Sequence, residues 1–91
     1  MNIGGAIKLL RKKKEITQKD FCDKVGISQA SLSQIESGKK RPKVKTLENI
    51  CSNLNVTQGA LMVLSLTEED FPKDKKEFYN PTMDYLLEVF S

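Results

Sequence analysis

One six-residue pattern occurs three times in this chain: Ile16-Thr17-Gln18-Lys19-Asp20-Phe21, Ile27-Ser28-Gln29-Ala30-Ser31-Leu32 and Val56-Thr57-Gln58-Gly59-Ala60-Leu61. Each copy has an apolar residue, a hydroxyl residue, a glutamine, two variable residues and a closing apolar residue. This is the chemistry of a helix start. The hydroxyl accepts a hydrogen bond from one of the N–H groups that a helix leaves unpaired at its first turn. The apolar residue before it and the one four places after it close on each other as a staple. In the first copy Asp20 is placed to complete a shortened capping box. Three helix N-termini are thereby fixed. Gly26 and Gly38 sit where left-handed residues end helices, and Pro42 bars continuation of the one before it. Only Gly26 and Ile27 separate the second and third helices, so the two must cross at a large angle.

Apolar residues recur at helical spacing throughout residues 1–64, and no strand alternation is present there. Ile3, Ala6, Ile7 and Leu10 mark a first helix. Phe21, Cys22 and Val25 mark a second, and Leu32 and Ile35 a third. Val44, Leu47, Ile50, Cys51 and Leu54 mark a fourth, and Leu61, Met62 and Leu64 a fifth. After Leu64 a mixed-charge stretch runs from Thr67 to Glu77, with a short helical turn expected near 73–79. Asn80-Pro81 then reads as a cap followed by proline at the first helical position. Met83, Leu86, Leu87 and Phe90, widened by Tyr85 and Val89, predict a sixth helix near 81–90. The expected fold is all-α: a five-helix unit over 1–66, and a C-terminal extension over 67–91 of charged linker plus amphipathic helix, a candidate dimerisation element.

The net charge of +3 conceals a division. Residues 1–45 carry twelve Lys and Arg against four acids, a net +8, and residues 46–91 carry three Lys against eight acids, a net −5. A basic half points to a polyanion partner. A chain of 91 residues with no histidine and only two cysteines, Cys22 and Cys51, lacks the commonest zinc ligands and the commonest general base. Both cysteines fall on apolar stripes and read as small buried hydrophobes, with redox sensing the lesser alternative. No metal site and no cofactor are expected. Ser37-Gly38-Lys39-Lys40 matches S-x-x-K but lies at a helix end in a basic loop, so the chain is not expected to be an enzyme. No apolar run approaches the ~18 residues of a membrane span, and the first residues lack a signal-peptide layout. A cytoplasmic protein is expected.

The stretch from Ile16 to Gly38 resembles the helix-turn-helix core of the Cro and phage-repressor, or XRE-type, family. It has the T-Q opening (Thr17-Gln18), the V-G-I-S turn (Val25 to Ser28), the close Ser33-Gln34-Ile35-Glu36-Ser37-Gly38 and a following basic-Pro segment. The likeness extends over about residues 3–64. Two positions depart from the family's habit: Cys22 stands where alanine is usual, and Lys43 where Ser or Thr begins the fourth helix, which predicts a weaker start there. The resemblance implies a DNA-binding protein whose third helix enters the major groove. The outward residues of that helix, at about 29–37, are Gln29, Ala30, Ser33 and Gln34. Their chemistry suits base edges: Gln for adenine, Ser for several edges, Ala for the thymine methyl. Gln18, at a helix N-terminus, is by resemblance a backbone clamp. Lys39, Lys40, Arg41 and Lys43 are candidates for phosphate neutralisation. Lys12, Lys13 and Lys14 are either further phosphate contacts or solvated surface. Several family members pair a first-helix arginine with the glutamate found here at position 36, so an Arg11–Glu36 ion pair is expected.

A sequence-specific transcriptional regulator acting on double-stranded DNA as a homodimer is therefore the primary expectation. Two alternatives share the domain. One is an antitoxin-type regulator that also binds a protein toxin, the partner docking through residues 67–91. The other is a restriction–modification controller.

Overall fold

The computed structural model describes residues 1–91, and every regular element is helical. The helices are α1 (Ile3–Lys13), α2 (Gln18–Val25), α3 (Gln29–Glu36), α4 (Val44–Leu54), α5 (Gln58–Leu64) and α6 (Tyr79–Phe90). Two 3₁₀ turns, Glu68–Asp70 and Lys73–Phe78, join the last two.

The three repeated starts all form. Thr17 Oγ1 accepts from the Asp20 N–H at 3.1 Å, Ser28 Oγ from the Ser31 N–H at 3.0 Å and Thr57 Oγ1 from the Ala60 N–H at 3.0 Å. The staples form with them: Phe21, Leu32 and Leu61 are wholly buried, and Ile16, Ile27 and Val56 pack against the same core. Asp20 returns no bond to Thr17. A carboxylate returns to the residue heading its turn instead at Thr67, whose N–H and hydroxyl both donate to the Asp70 carboxylate, at 2.8 and 3.1 Å. Those bonds, the backbone one first, and the Met1 ammonium at 3.0 Å draw the Asp70 carboxyl below its ordinary range.

One core draws on α1 to α5, with Leu86 and Leu87 of α6 packed on its margin. Cys22 and Cys51 are buried within it as free thiols. Burial pushes the Cys51 thiol up from its ordinary value. Lys43 stands at the head of α4 and its side chain makes no capping bond, but the helix runs from Val44 regardless.

The sixth helix begins earlier than its sequence suggests. Asn80 is no cap, because the 3₁₀ turn ending at Phe78 delivers the chain to Tyr79 already in helical conformation. Pro81 thus falls in the first turn, where its missing N–H breaks no bond. The charged stretch is anchored at both ends. Tyr79 donates its hydroxyl to the Leu66 carbonyl at 3.3 Å, its ring meets Phe71 edge to face at 5.4 Å, and Lys76 Nζ donates to the Glu68 carbonyl at 3.2 Å.

Candidate nucleic-acid interface

Helix α3 is set by its neighbours on both sides. Gly26, at φ 84°, turns the chain sharply between α2 and α3. Ser28 caps the new helix, and Leu32 and Ile35 anchor it in the core at 0% and 2% exposure. That phase leaves Gln29, Ala30, Ser33 and Gln34 exposed on the outer face. They present amide, hydroxyl and methyl groups, a set matched to the edges of base pairs.

The only acid in α3 is Glu36, and it is turned inward, at 6% exposure. Arg11, equally buried, meets it with two bonds: Nε to Oε2 at 2.7 Å and Nη2 to Oε1 at 3.1 Å. The third arm of the guanidinium, Nη1, donates to the Ile16 carbonyl at 2.7 Å. Gln18 Nε2 donates to Glu36 Oε1 at 3.0 Å. One arginine thus ties α1 to the α1–α2 turn and to α3, and the first side chain of α2 joins the same carboxylate. Sequence reading paired Arg11 with Glu36 but left Gln18 apart. Eighteen residues separate Gln18 from Glu36, so no local spacing rule reveals the contact.

The loop after α3 turns at Gly38, φ 81°, and the N–H groups of Lys39 and Lys40 both donate to the Gln34 carbonyl, at 2.9 and 3.2 Å. This folds the basic segment back beside α3. Lys40 Nζ reaches Ser31 Oγ at 3.2 Å, which places one cation against the helix itself. Lys39, Arg41 and Lys43 are exposed. The chain's ion pairs are Met1–Asp70 and Arg11–Glu36, so every lysine, and every arginine but Arg11, is free of a carboxylate partner. Ser37 Oγ donates to the Gln34 carbonyl at 3.1 Å, an ordinary helix-end bond.

Sequence reading also missed Gly4. It is buried, and a Cβ built there falls on the Ile35 carbonyl oxygen and 3.1 Å from that of Glu36. The start of α1 therefore lies directly on the C-terminal end of α3. A signal was present: Gly4 is three residues before Ile7, on the inward stripe, where a larger apolar residue is the usual choice.

A family model described as helix-turn-helix matches residues 7–57, from within α1 to the cap of α5. The chain belongs to the XRE-type helix-turn-helix family of DNA-binding transcriptional regulators. Among relatives in this family, it is 32% identical over 80 residues to the uncharacterized HTH-type transcriptional regulator YqaE of Bacillus subtilis, covering 88% of this chain and 69% of that one. It is 30% identical to an immunity repressor protein of Bacillus phage phi105, covering 88% of this chain and 53% of the repressor. It is 35% identical to the antitoxin PezA of Streptococcus pneumoniae, covering 93% of this chain and 47% of the antitoxin. The chain thus spans about half the length of the repressor and the antitoxin. The helix-turn-helix match ends before α6, so the family model is silent on the C-terminal extension.

Proposed function

We propose that this regulator reads a specific DNA sequence with α3 in the major groove, Gln29, Ala30, Ser33 and Gln34 touching bases. Gln18, Lys39, Lys40, Arg41 and Lys43 then hold phosphates. The observation that carries this is the outer face of α3: four exposed neutral residues, with the helix's one carboxylate buried and paired. A cation-rich loop without ion pairs flanks that face. No helix of the chain is long and apolar enough to cross a membrane, and we take the site of action to be the cytoplasm.

Base readers and phosphate holders separate by experiment. Gln29→Ala is expected to cost ~1–3 kcal/mol on the preferred site and to relax base preference at its position, with non-specific binding unchanged. Lys40→Ala is expected to weaken all sequences alike and to flatten the slope of log affinity against log salt by about one per half-site. Selection from random duplexes, followed by titration of both variants at two salt concentrations, tests this. If no motif is selected, or the two variants behave alike, direct readout by α3 is wrong.

A single short helix reads few base pairs, so the protein is proposed to act as a homodimer on half-sites about one DNA turn (~34 Å) apart. Helix α6 supplies the surface. Leu86 and Leu87 face the core, whereas Tyr85 and Val89 stand 67% and 55% exposed one turn apart, with Phe78, 49% exposed, in the 3₁₀ turn before the helix. Sedimentation is expected to show a dimer that Tyr85→Asp with Val89→Asp dissociates, lowering operator affinity more than about tenfold as the second half-site is lost. A wild-type monomer at high micromolar concentration, still monomeric on operator DNA, contradicts the dimer. The likeness to an antitoxin favours a second reading, in which residues 67–91 carry a protein partner on this same face. A stable wild-type dimer resting on Tyr85 and Val89 leaves no free face for it.

A further inference from the structure

We infer that Glu36 is a positioning residue that sets the direction of the Gln18 carboxamide, so that one amide nitrogen bridges a buried carboxylate and a DNA phosphate. The inference rests on the reading of Gln18 as a backbone contact and adds how that contact is prepared. A carboxylate paired with Arg11 offers acceptors only. The Gln18 group facing Glu36 Oε1 at 3.0 Å must therefore be the nitrogen, and the amide cannot turn over without setting oxygen against oxygen. The nitrogen carries two hydrogens pointing in different directions, and Glu36 takes one. Gln18 is half-buried at the first position of α2, and its second amide hydrogen has no partner in the chain. The backbone N–H groups of Gln18 and Lys19, in the same first turn of α2, are without partners in the chain.

This arrangement also explains how an acid is tolerated so close to a polyanion. Arg11 neutralises Glu36 from within, and the Gln18 amide stands between the carboxylate and the DNA, donating to each. The phosphate contact is held in one rotamer before DNA arrives, which removes an ordering cost from binding.

Two measurements test it. In the free protein, one of the two Gln18 side-chain amide protons is expected to be shifted downfield and slow to exchange in a 1H–15N spectrum. The other is expected to move on addition of a short mixed-sequence duplex at low salt. A freely exchanging, averaged pair in the free protein overturns the proposal. The second measurement is a cycle of variants on the same duplex. Gln18→Ala is expected to weaken binding about tenfold per half-site with the salt slope unchanged, because the amide is neutral. The paired replacement Arg11→Met with Glu36→Leu removes both buried charges and leaves Gln18 without its partner. It is expected to weaken binding about fivefold per half-site, and adding Gln18→Ala to it is expected to cost much less than in the wild type. A full loss from Gln18→Ala in both backgrounds shows that Gln18 grips DNA unaided, and Glu36 is then structural only. No loss from Gln18→Ala in the wild type removes the phosphate contact itself, and the positioning role with it.

Discussion

Arg11→Met is expected to destabilise the fold by about 3–5 kcal/mol, because it leaves a buried carboxylate with one neutral amide as its partner. A domain of this size has a total stability of about 5–10 kcal/mol, so much of the chain will be unfolded at modest urea concentrations. The two partners are not equivalent. Glu36→Leu leaves Arg11 bonded to the Ile16 carbonyl, and a long arginine stem can carry its charge out to water. Its loss should be smaller. Removing both charges together, Arg11→Met with Glu36→Leu, should recover most of the stability, since well-packed apolar replacements of buried pairs are often neutral or better. Urea unfolding of the three variants decides it. If the double variant is as unstable as Arg11→Met alone, the network holds the fold by shape and not by charge. If Arg11→Met unfolds at the wild-type midpoint, the carboxylate is not desolvated as its burial implies.

What the sequence made legible was local. Thr17, Ser28 and Thr57 cap their helices through neighbours three residues away, and Gly26 and Gly38 answer to the backbone of their own turns. Such signals are complete within a short window. The start of α6 misleads because Asn80-Pro81 is a good cap in isolation, yet the chain is already helical when it arrives. The facing of α6 was half legible: its apolar residues are too many for one stripe. Only the packing against α5 separates Leu86 and Leu87 from the outward Tyr85 and Val89. The buried network shows the same limit. An Arg11–Glu36 pair came from a family resemblance, whereas the Ile16 carbonyl and the Gln18 amide joined it through packing that no sequence period encodes. The contact of Lys40 with Ser31 depends likewise on how the loop folds back at Gly38.

Gly4 offers a test in which the sign of the effect is informative. Glycine in a helix is worse than alanine by about 0.5–1 kcal/mol, so Gly→Ala stabilises wherever there is room for a methyl group. Gly59, in the first turn of α5, has that room: a Cβ there meets only Thr57 Oγ1, at 3.9 Å. Gly59→Ala is therefore expected to raise stability by about 0.5–1 kcal/mol. At Gly4 the obstacle is the Ile35 carbonyl oxygen, a backbone atom with no rotamer to turn aside, and the Glu36 carbonyl lies just beyond it. The methyl group can enter only if α1 lifts away from α3. Gly4→Ala is expected to lower stability by about 2–3 kcal/mol, as overpacking does where neighbours cannot yield. The displacement is expected to act on function as well, since α1 carries Arg11 and α3 carries Glu36 and the exposed face proposed to meet DNA. Specific DNA affinity should fall by more than the unfolded fraction accounts for, with the Gly59→Ala protein serving as control. Equal stabilisation by the two substitutions would show that α1 does not bear on α3 in solution, and the path from Gly4 to α3 would have to be abandoned.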